Sequence, residues 1–523
     1  MALASNYQLE DALQSREKWW SGGTAAVLAI ALATIAAHLA TGWRYGFDRD
    51  ELMALEDARH LAWGYVQYPP MTAFFAWLAL KLFGTSLVGF RFFAALVQAI
   101  ALVLTGGMAK ELGGGKWAQV TAALAGVPFC LGGGALMQYI SFDYVCWVLA
   151  AYGMVRLLSS DEKRWWLLIG AATGLGMLAK YTMGLLVAGL VVGVLATQAR
   201  RHLKSAWLWA AVLLAALIFL PNFLWEWKRH FVSLDFLRFV HDRDVHTGVT
   251  NGFFLGQLEL TMLALPLAVA GLWFYFTQRR YRPLAWMYVV PLVLLVAVKG
   301  RDYYLAPAYP MLYAAGAVWA ERKIVAKGVT EKNSPPLRIS IFEFRFSTLR
   351  RLVWLALIFD VGVAAAVALP IAPVNSAWWK MAARRNIVFP DEIGWEELTQ
   401  SVAQVWQQLP AEERSRAGIL AGNYGELGAL NLYGSKFGLP QAISGVNSSW
   451  ERGYGHPAPQ TLVVMGYSQE FLQEHFASCQ VQGHVWNKYG VLNEEAIEDP
   501  EIYACRGLRE SWPEFWKAAR RFA

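Results

Sequence analysis

A chain of 523 residues in which 56% are hydrophobic and 16% charged cannot bury its apolar surface in one soluble core, and apolar runs of about 18 residues or more recur from Thr24 to Pro370. This excludes an ordinary soluble enzyme and marks an α-helical polytopic membrane protein. The net charge of +7 is uneven: Pro373 to Ala523 holds 13 Lys and Arg against 17 Asp and Glu. The basic excess therefore lies in the membrane part, where loops and lipid headgroups account for it and no nucleic-acid footprint is left.

In chain order, predicted spans begin near Thr24, Val88, Ala118, Tyr144, Trp166, Thr182, Ala206, Phe253, Pro283, Leu305 and Leu352, about eleven in all. The first follows a polar segment, Glu10 to Lys18, and lacks a clear cleavage site, so it reads as a retained helix. Short cytoplasmic loops carry an excess of Lys and Arg. With the N-terminus inside, every second connection is basic: Lys110 and Lys116, Lys163 and Arg164, Arg200, Arg201 and Lys204, Arg279, Arg280 and Arg282, then a long basic loop from Arg322 to Arg351. The same parity places the loops holding Asp50, Asp143, Arg243 and Arg301 outside, with everything after about Pro373.

The chain thus divides into a multispan part, 1–372, and an extracytoplasmic soluble α/β domain, 373–523. Strand-like runs at Ala417 to Ala421 and Thr461 to Met465 are followed by helix-like stretches at Gly425 to Leu432 and Gln469 to Phe476. Cys479 and Cys505 fall in this outer tail, where a disulfide can persist, whereas Cys130 and Cys146 read as packing residues of spans. Gly170 with Gly174, and Gly189 with Gly193, have the small-residue spacing of closely packed membrane helices. Gly113-Gly114-Gly115-Lys116 lacks the spacing of a phosphate loop and reads as a basic turn.

The polar residues left over gather on the outer side. The first outer loop carries Phe47-Asp48-Arg49-Asp50-Glu51, then Glu56, Asp57, Arg59 and His60; its apolar segment Met71 to Phe83 is too short to span and reads as an interfacial helix. Arg91 follows at the outer end of the second span. Asp143 stands at the start of a span, where helix capping is a rival explanation. Later connections add Lys180, then Arg243, then Lys299, Arg301, Tyr303 and Tyr304. Lys299 and Arg301, flanking Gly300 beside two tyrosines, suit a grip on a phosphate at headgroup depth, with snorkelling as the alternative.

Asp50-Glu51-Leu52, Arg59-His60-Leu61-Ala62-Trp63-Gly64-Tyr65-Val66, Pro69-Pro70, Leu82-Phe83-Gly84 with Arg91, Leu178-Ala179-Lys180-Tyr181-Thr182, and Lys299-Gly300-Arg301-Asp302-Tyr303-Tyr304-Leu305 with Tyr309-Pro310 occur in that order. Together they resemble the bacterial protein mannosyltransferase-like enzymes, multispan proteins of the C-type glycosyltransferase fold related to the aminoarabinose transferase of lipid A. The resemblance runs from about Thr24 to Glu321. It implies inverting transfer of a sugar from a polyprenyl-phosphate donor to a protein, lipid or glycan acceptor outside the cytoplasmic (inner) membrane. It makes Asp50 the general base, Glu51 its acidic neighbour, and Asp143 a ligand of a divalent metal (Mg, Mn or Zn, shared with Asp50) or of the acceptor; no nucleotide cofactor is implied. Lys299, Arg301, Arg243, Arg91 and Lys180 are the candidate phosphate contacts, and His60, Tyr65, Tyr303 and Tyr304 the candidate substrate contacts. One departure stands out: relatives often carry Asp-Gln before the two prolines, whereas this chain has Gln67-Tyr68, and the extra Asp48 is the candidate to compensate.

The chemistry agrees with these residue types. Outside the cytoplasm an activated sugar must arrive on a membrane lipid, and a lipid phosphate leaves readily once its charge is stabilised. The acceptor hydroxyl must then lose a proton to a carboxylate such as Asp50. A transporter would instead place ionisable groups near the bilayer midplane. A non-catalytic lipid-carrier-binding protein would keep the loops without needing the acid pair.

Overall fold

The computed structural model describes residues 22–331 and 336–523, so the expected polar segment before the first helix lies outside the described residues. Every predicted span is helical. These helices are α1 (Gly22–Thr41), α4 (Leu87–Glu111), α5 (Lys116–Gly133), α6 (Tyr139–Ser160), α7 (Trp165–Ala179), α8 (Met183–Leu195), α9 (Ala206–Lys228), the broken pair α11 (Phe253–Thr261) and α12 (Leu265–Thr277), α13 (Arg282–Ala297), α14 (Tyr309–Glu331) and α15 (Pro336–Ala368). Between them lie α2 (Arg49–Arg59), α3 (Met71–Phe83) and α10 (Val232–His246).

The predicted spans are not all of full spanning length. Among the described residues seven helices are long and apolar enough to cross a membrane, or eight if the bent pair of α8 and the turn 198–204 counts as one. At about 1.5 Å per residue, a helix the length of α7 falls short of a hydrocarbon core of roughly 30 Å. The expected basic loop from Arg322 to Arg351 is also revised: α14 continues to Glu331 and α15 starts at Pro336, and only 332–335 lie outside the described residues. Where α11 breaks from α12, the freed amide of Leu263 donates to Asp360 Oδ2 of α15 at 2.9 Å, which satisfies a backbone group that lipid could not.

Small residues set the helix spacing, as their pattern predicts. A Cβ on Gly170 would lie 2.4 Å from the Ala211 carbonyl oxygen, and one on Gly193 2.8 Å from that of Pro283, so α7 meets α9 and α8 meets α13 backbone to backbone. The amphipathic α3 buries Thr72, Ala73, Ala76 and Ala79 and leaves Phe74, Leu82 and Phe83 exposed, as an interfacial helix should.

The basic connections are gathered at one end of the bundle. Arg201 pairs with Asp161 at 2.6 Å, Arg280 donates to the Ser159 carbonyl at 2.7 Å, Arg322 to that of Leu112 at 2.6 Å, and Glu321 receives the Gly115 amide at 2.6 Å. The acidic loop, Lys180, Arg301 and the tail meet at the other end. Cysteines placed at the exposed Lys116 and Lys163 should therefore react only with membrane-permeant reagents, and cysteines at the exposed His60 and Lys488 with impermeant ones. Labelling of all four from one side contradicts the arrangement.

The tail is a mixed five-stranded sheet in the order β2 (Ile443–Ser444), β1 (Ala417–Ala421), β3 (Thr461–Met465), β5 (Glu501–Leu508), β4 (Phe476–His484). β1 pairs in parallel with β2 and β3, while β5 is antiparallel to β3 and β4. Both predicted strands have the expected bounds. β4 is not among the expected strands, although Ala477, Cys479 and Val481 alternate with Ser478, Gln480 and Gln482. The β4–β5 register sets Cys479 opposite Cys505, and the two form a disulfide across a separation of 26 residues. Reduction, or a Cys479→Ser/Cys505→Ser pair, should destabilise the tail by about 3 kcal/mol, read as a lower Tm.

The core beneath the sheet is not the tail's alone. Phe47, Leu52 and Leu55 of the first loop share one apolar cluster with Trp395 and Leu398 of α16 (Trp395–Gln408) and Leu427 of α17 (Tyr424–Tyr433). A Cβ on Gly428 would lie 2.5 Å from the Leu52 carbonyl oxygen, so α17 and α2 touch through their backbones. This contact decides where the N-terminus of α2 points.

Candidate active site

Asp48 caps α2: its carboxylate accepts the Asp50 amide at 2.9 Å, and Glu51 returns the bond to the Asp48 amide at 3.0 Å. Asp48 is therefore a buried cap and supplies no loop carboxylate to the cleft. The capped turn presents half-buried Asp50 to a cleft of about 410 Å³ between the helix ends and the tail. Tyr424 of α17 donates to Asp50 Oδ1 at 3.2 Å, and Gln138 reaches Oδ2 at 3.4 Å. Burial pushes the Asp50 carboxyl above its usual range, against the pull of Arg49 and the Tyr424 hydrogen bond.

Asp50 and Glu51 do not act as a pair facing one ligand. Successive helical residues project about 100° apart, and Glu51 turns inward to full burial. There it meets Arg91, whose Nε and terminal nitrogen donate to it at 2.9 and 2.6 Å, while the same guanidinium binds Glu392 at 2.7 Å and the Gly46 carbonyl at 2.9 Å. Arg91 is thus committed inside the protein and is not placed to hold a phosphate. One cation shared by two buried carboxylates leaves Glu392 pushed up to about 8, chiefly by burial.

Three cations do line the cleft: Lys180, Arg243 and Arg301. Arg301 is fixed by Asp244 of α10, with one bond of 2.8 Å from its terminal nitrogen and a second from Nε. Arg243 lies 3.6 Å from the same carboxylate and stays half-exposed. Lys180 Nζ stands 4.0 Å from the Tyr304 ring centre, 4.9 Å from Tyr139 and 5.0 Å from Tyr303, a cation held by aromatic faces. Lys299 is different: it follows α13 in a left-handed conformation, is exposed, and is absent from the lining.

The other expected contacts are also redistributed. Tyr65 is buried, and its hydroxyl takes the Ala62 amide at 3.0 Å; exposed His60 ends α2; neither lines the cleft. Gln67 and Tyr68 both donate to Asp57 Oδ2, at 2.8 and 2.7 Å, and Asp57 also pairs with Arg452 of the tail. The residues that depart from the family pattern thus serve a buried tie between loop and tail. Asp143 is buried, with one oxygen on Trp147 Nε1 and the other on the Thr182 hydroxyl, both at 3.1 Å. It fixes the turn carrying Lys180.

No group of three His, Cys, Asp or Glu side chains suited to a metal ion occurs among the described residues. Asp143 does not line the cleft that Asp50 faces, so the two carboxylates offer a divalent ion no shared site there.

A second cleft of about 500 Å³ adjoins the first across two residue pairs: Tyr139 and Tyr304 line the first cleft, Gln138 and Tyr303 the second. Apolar Phe129, Leu260 and Val367 line the second beside Glu392 and an exposed Arg385–Glu259 pair at 3.3 Å. Tyr424 and Gln138 carry no signal in the sequence. The first is contributed by the tail, 374 residues from its partner.

Residues 67–225 match the family described as Dolichyl-phosphate-mannose-protein mannosyltransferase. An uncharacterized protein of Aquifex aeolicus is 25% identical over 256 residues, 47% of this chain and 51% of the relative, so the match spans about half the length of that relative. ArnT from Cupriavidus metallidurans bound to undecaprenyl phosphate aligns over 93% of this chain and 98% of its own, with a TM-score of 0.55 and 15% identity. The archaeal oligosaccharyltransferase AglB from Archaeoglobus fulgidus, in complex with an inhibitory peptide and a dolichol-phosphate, aligns over 88% and 70%, with a TM-score of 0.51 and 12% identity.

Proposed function

From a chain with the C-type fold of membrane glycosyltransferases, we infer an enzyme that moves a sugar from a polyprenyl-phosphate donor to an acceptor hydroxyl on the extracytoplasmic side of the membrane. The observation that carries this reading is a carboxylate with a raised pKa, Asp50, sharing one cleft with Lys180, Arg243 and Arg301 at the end of apolar helices. Bound lipid phosphates in both structural relatives support the donor class.

Arg301, Arg243 and Lys180 hold the donor phosphate and stabilise the charge it gains on leaving. Leu185, Leu237, Val240 and Leu295 of the same cleft seat the first prenyl units. The acceptor oxygen attacks the anomeric carbon from the face opposite the phosphate, the bond from that carbon to the phosphate oxygen breaks, and the hydroxyl proton passes to Asp50. A single displacement inverts the anomeric centre. The acceptor approaches through the second cleft, whose apolar and polar walls suit a hydroxyl borne on an amphipathic molecule, and Gln138 links that cleft to Asp50. No step is routed through a metal.

Binding and chemistry separate by mutation. Arg301→Gln keeps a donor for Asp244 but removes the charge, and should weaken undecaprenyl phosphate binding to the purified chain by roughly 10- to 100-fold. Equal affinity in Arg301→Gln and wild type overturns the assignment of the phosphate site.

A further inference from the structure

At the end of the bundle opposite the cleft, α8 bends by 98° into the turn 198–204 and leaves a concavity of about 320 Å³. Its walls are Ala196, Thr197, Gln198, Arg200, Arg279 and Arg282. We propose that this pocket binds the phosphate headgroup of an anionic membrane lipid, independently of the transfer chemistry at the other end.

Three arginines from two connections line one concavity, and no carboxylate is among its walls. Several other arginines of this end are engaged. Arg156 pairs with Glu111, Arg164 with Glu162 at 2.7 Å and Arg201 with Asp161 at 2.6 Å, while Arg280 and Arg322 donate to carbonyls. Among the described residues neither Arg200 nor Arg279 has a carboxylate partner. Arg282 is held by the Phe276 carbonyl at 3.0 Å and opens the 16-residue helix α13, whose N-terminus adds partial positive charge. Uncompensated guanidinium groups in a hollow repel one another, and a phosphate with its several acceptor oxygens relieves that repulsion. Orientation bias alone requires arginines at this end, but not their convergence on one pocket.

The flanks point to a lipid as the source of the phosphate. Leu195, the last residue of α8, is 55% exposed, and Phe276, near the end of α12, is 37% exposed. Acyl chains below a headgroup in the pocket would lie along these two helix ends.

The test uses the full chain in nanodiscs of phosphatidylcholine doped with phosphatidylglycerol, followed by native mass spectrometry of co-purifying lipid. Near a membrane surface each Arg–anion contact is worth about a factor of five. Arg200→Gln/Arg279→Gln/Arg282→Gln should therefore retain roughly 10- to 100-fold less phosphatidylglycerol than wild type, with undecaprenyl phosphate binding at the far cleft kept as the sign of an intact fold. Arg164→Gln, at the same end but paired and exposed, should retain it fully. Unchanged retention in the triple variant, or an equal loss in Arg164→Gln, overturns the proposal. Millimolar inorganic phosphate should leave the lipid in place; displacement of the lipid by that salt assigns the pocket to free anions and overturns the lipid reading.

Discussion

Asp50→Asn should lower sugar transfer by about 10²-fold or more while undecaprenyl phosphate binding persists. The substitution keeps the size of the side chain and an oxygen for the Tyr424 hydroxyl, and removes the charge and with it the capacity to take a proton. A base works in its ionised form, so the rate should rise with pH as Asp50 loses its proton and fall as pH drops below its pKa. Burial raises that pKa, which moves the acid limb above the ordinary carboxylate range; Tyr424 opposes the shift by donating to the carboxylate. Tyr424→Phe removes the opposing bond and should move the acid limb to still higher pH, with little loss of rate on the alkaline plateau. An Asp50→Asn variant that transfers sugar at the wild-type rate contradicts this assignment, and an unmoved limb in Tyr424→Phe contradicts the role given to the tail.

Arg91→Met should unfold the protein at markedly lower temperature, at a cost of about 3–5 kcal/mol. The substitution fills much of the same space but strands Glu51, which is 0% exposed, and Glu392, which is 3% exposed, without a cation. Without Arg91, burial drives the Glu392 carboxyl further toward its neutral form. A carboxyl whose folded pKa is raised above its unfolded value stabilises the fold when protonated, so the variant should regain stability as pH falls through that raised value and lose it as pH rises. Glu51→Leu/Arg91→Leu/Glu392→Leu should recover much of the loss, because a buried ion cluster replaced as a whole leaves no uncompensated charge. Thermal unfolding in detergent checks the series. A normal Tm with lost donor binding in Arg91→Met restores Arg91 to the phosphate site and contradicts its structural role.

These two residues show what could be read from the chain and what could not. The acidic start of α2, Lys180 and the Arg301-Tyr303-Tyr304 run stood out because charge clusters at the edge of apolar spans have few other reasons to exist, and the structure brings them to one end. The split between Asp50 and Glu51 depends on helix phase, which a two-residue motif does not reveal. Arg91 looked available because its partner Glu392 lies 301 residues away, beyond the last span. Tyr424 carries no local signal, since it comes from the tail, and Asp244, beside Arg243 in α10, has nothing local that aims it at Arg301. Continuous hydropathy likewise hid the shortness of α7 and the bend after α8.

One inverting displacement on a lipid-phosphate sugar in the Asp50 cleft fixes the anomer of the product. The most direct test supplies the purified chain, reconstituted in nanodiscs, with a polyprenyl-phosphate sugar of defined anomeric configuration and a hydroxyl acceptor, and reads the product anomer by NMR. The expected product is a glycoside of inverted configuration from the lipid donor and none from the matching nucleotide sugar. A product of retained configuration, or equal transfer from the nucleotide sugar, would contradict it.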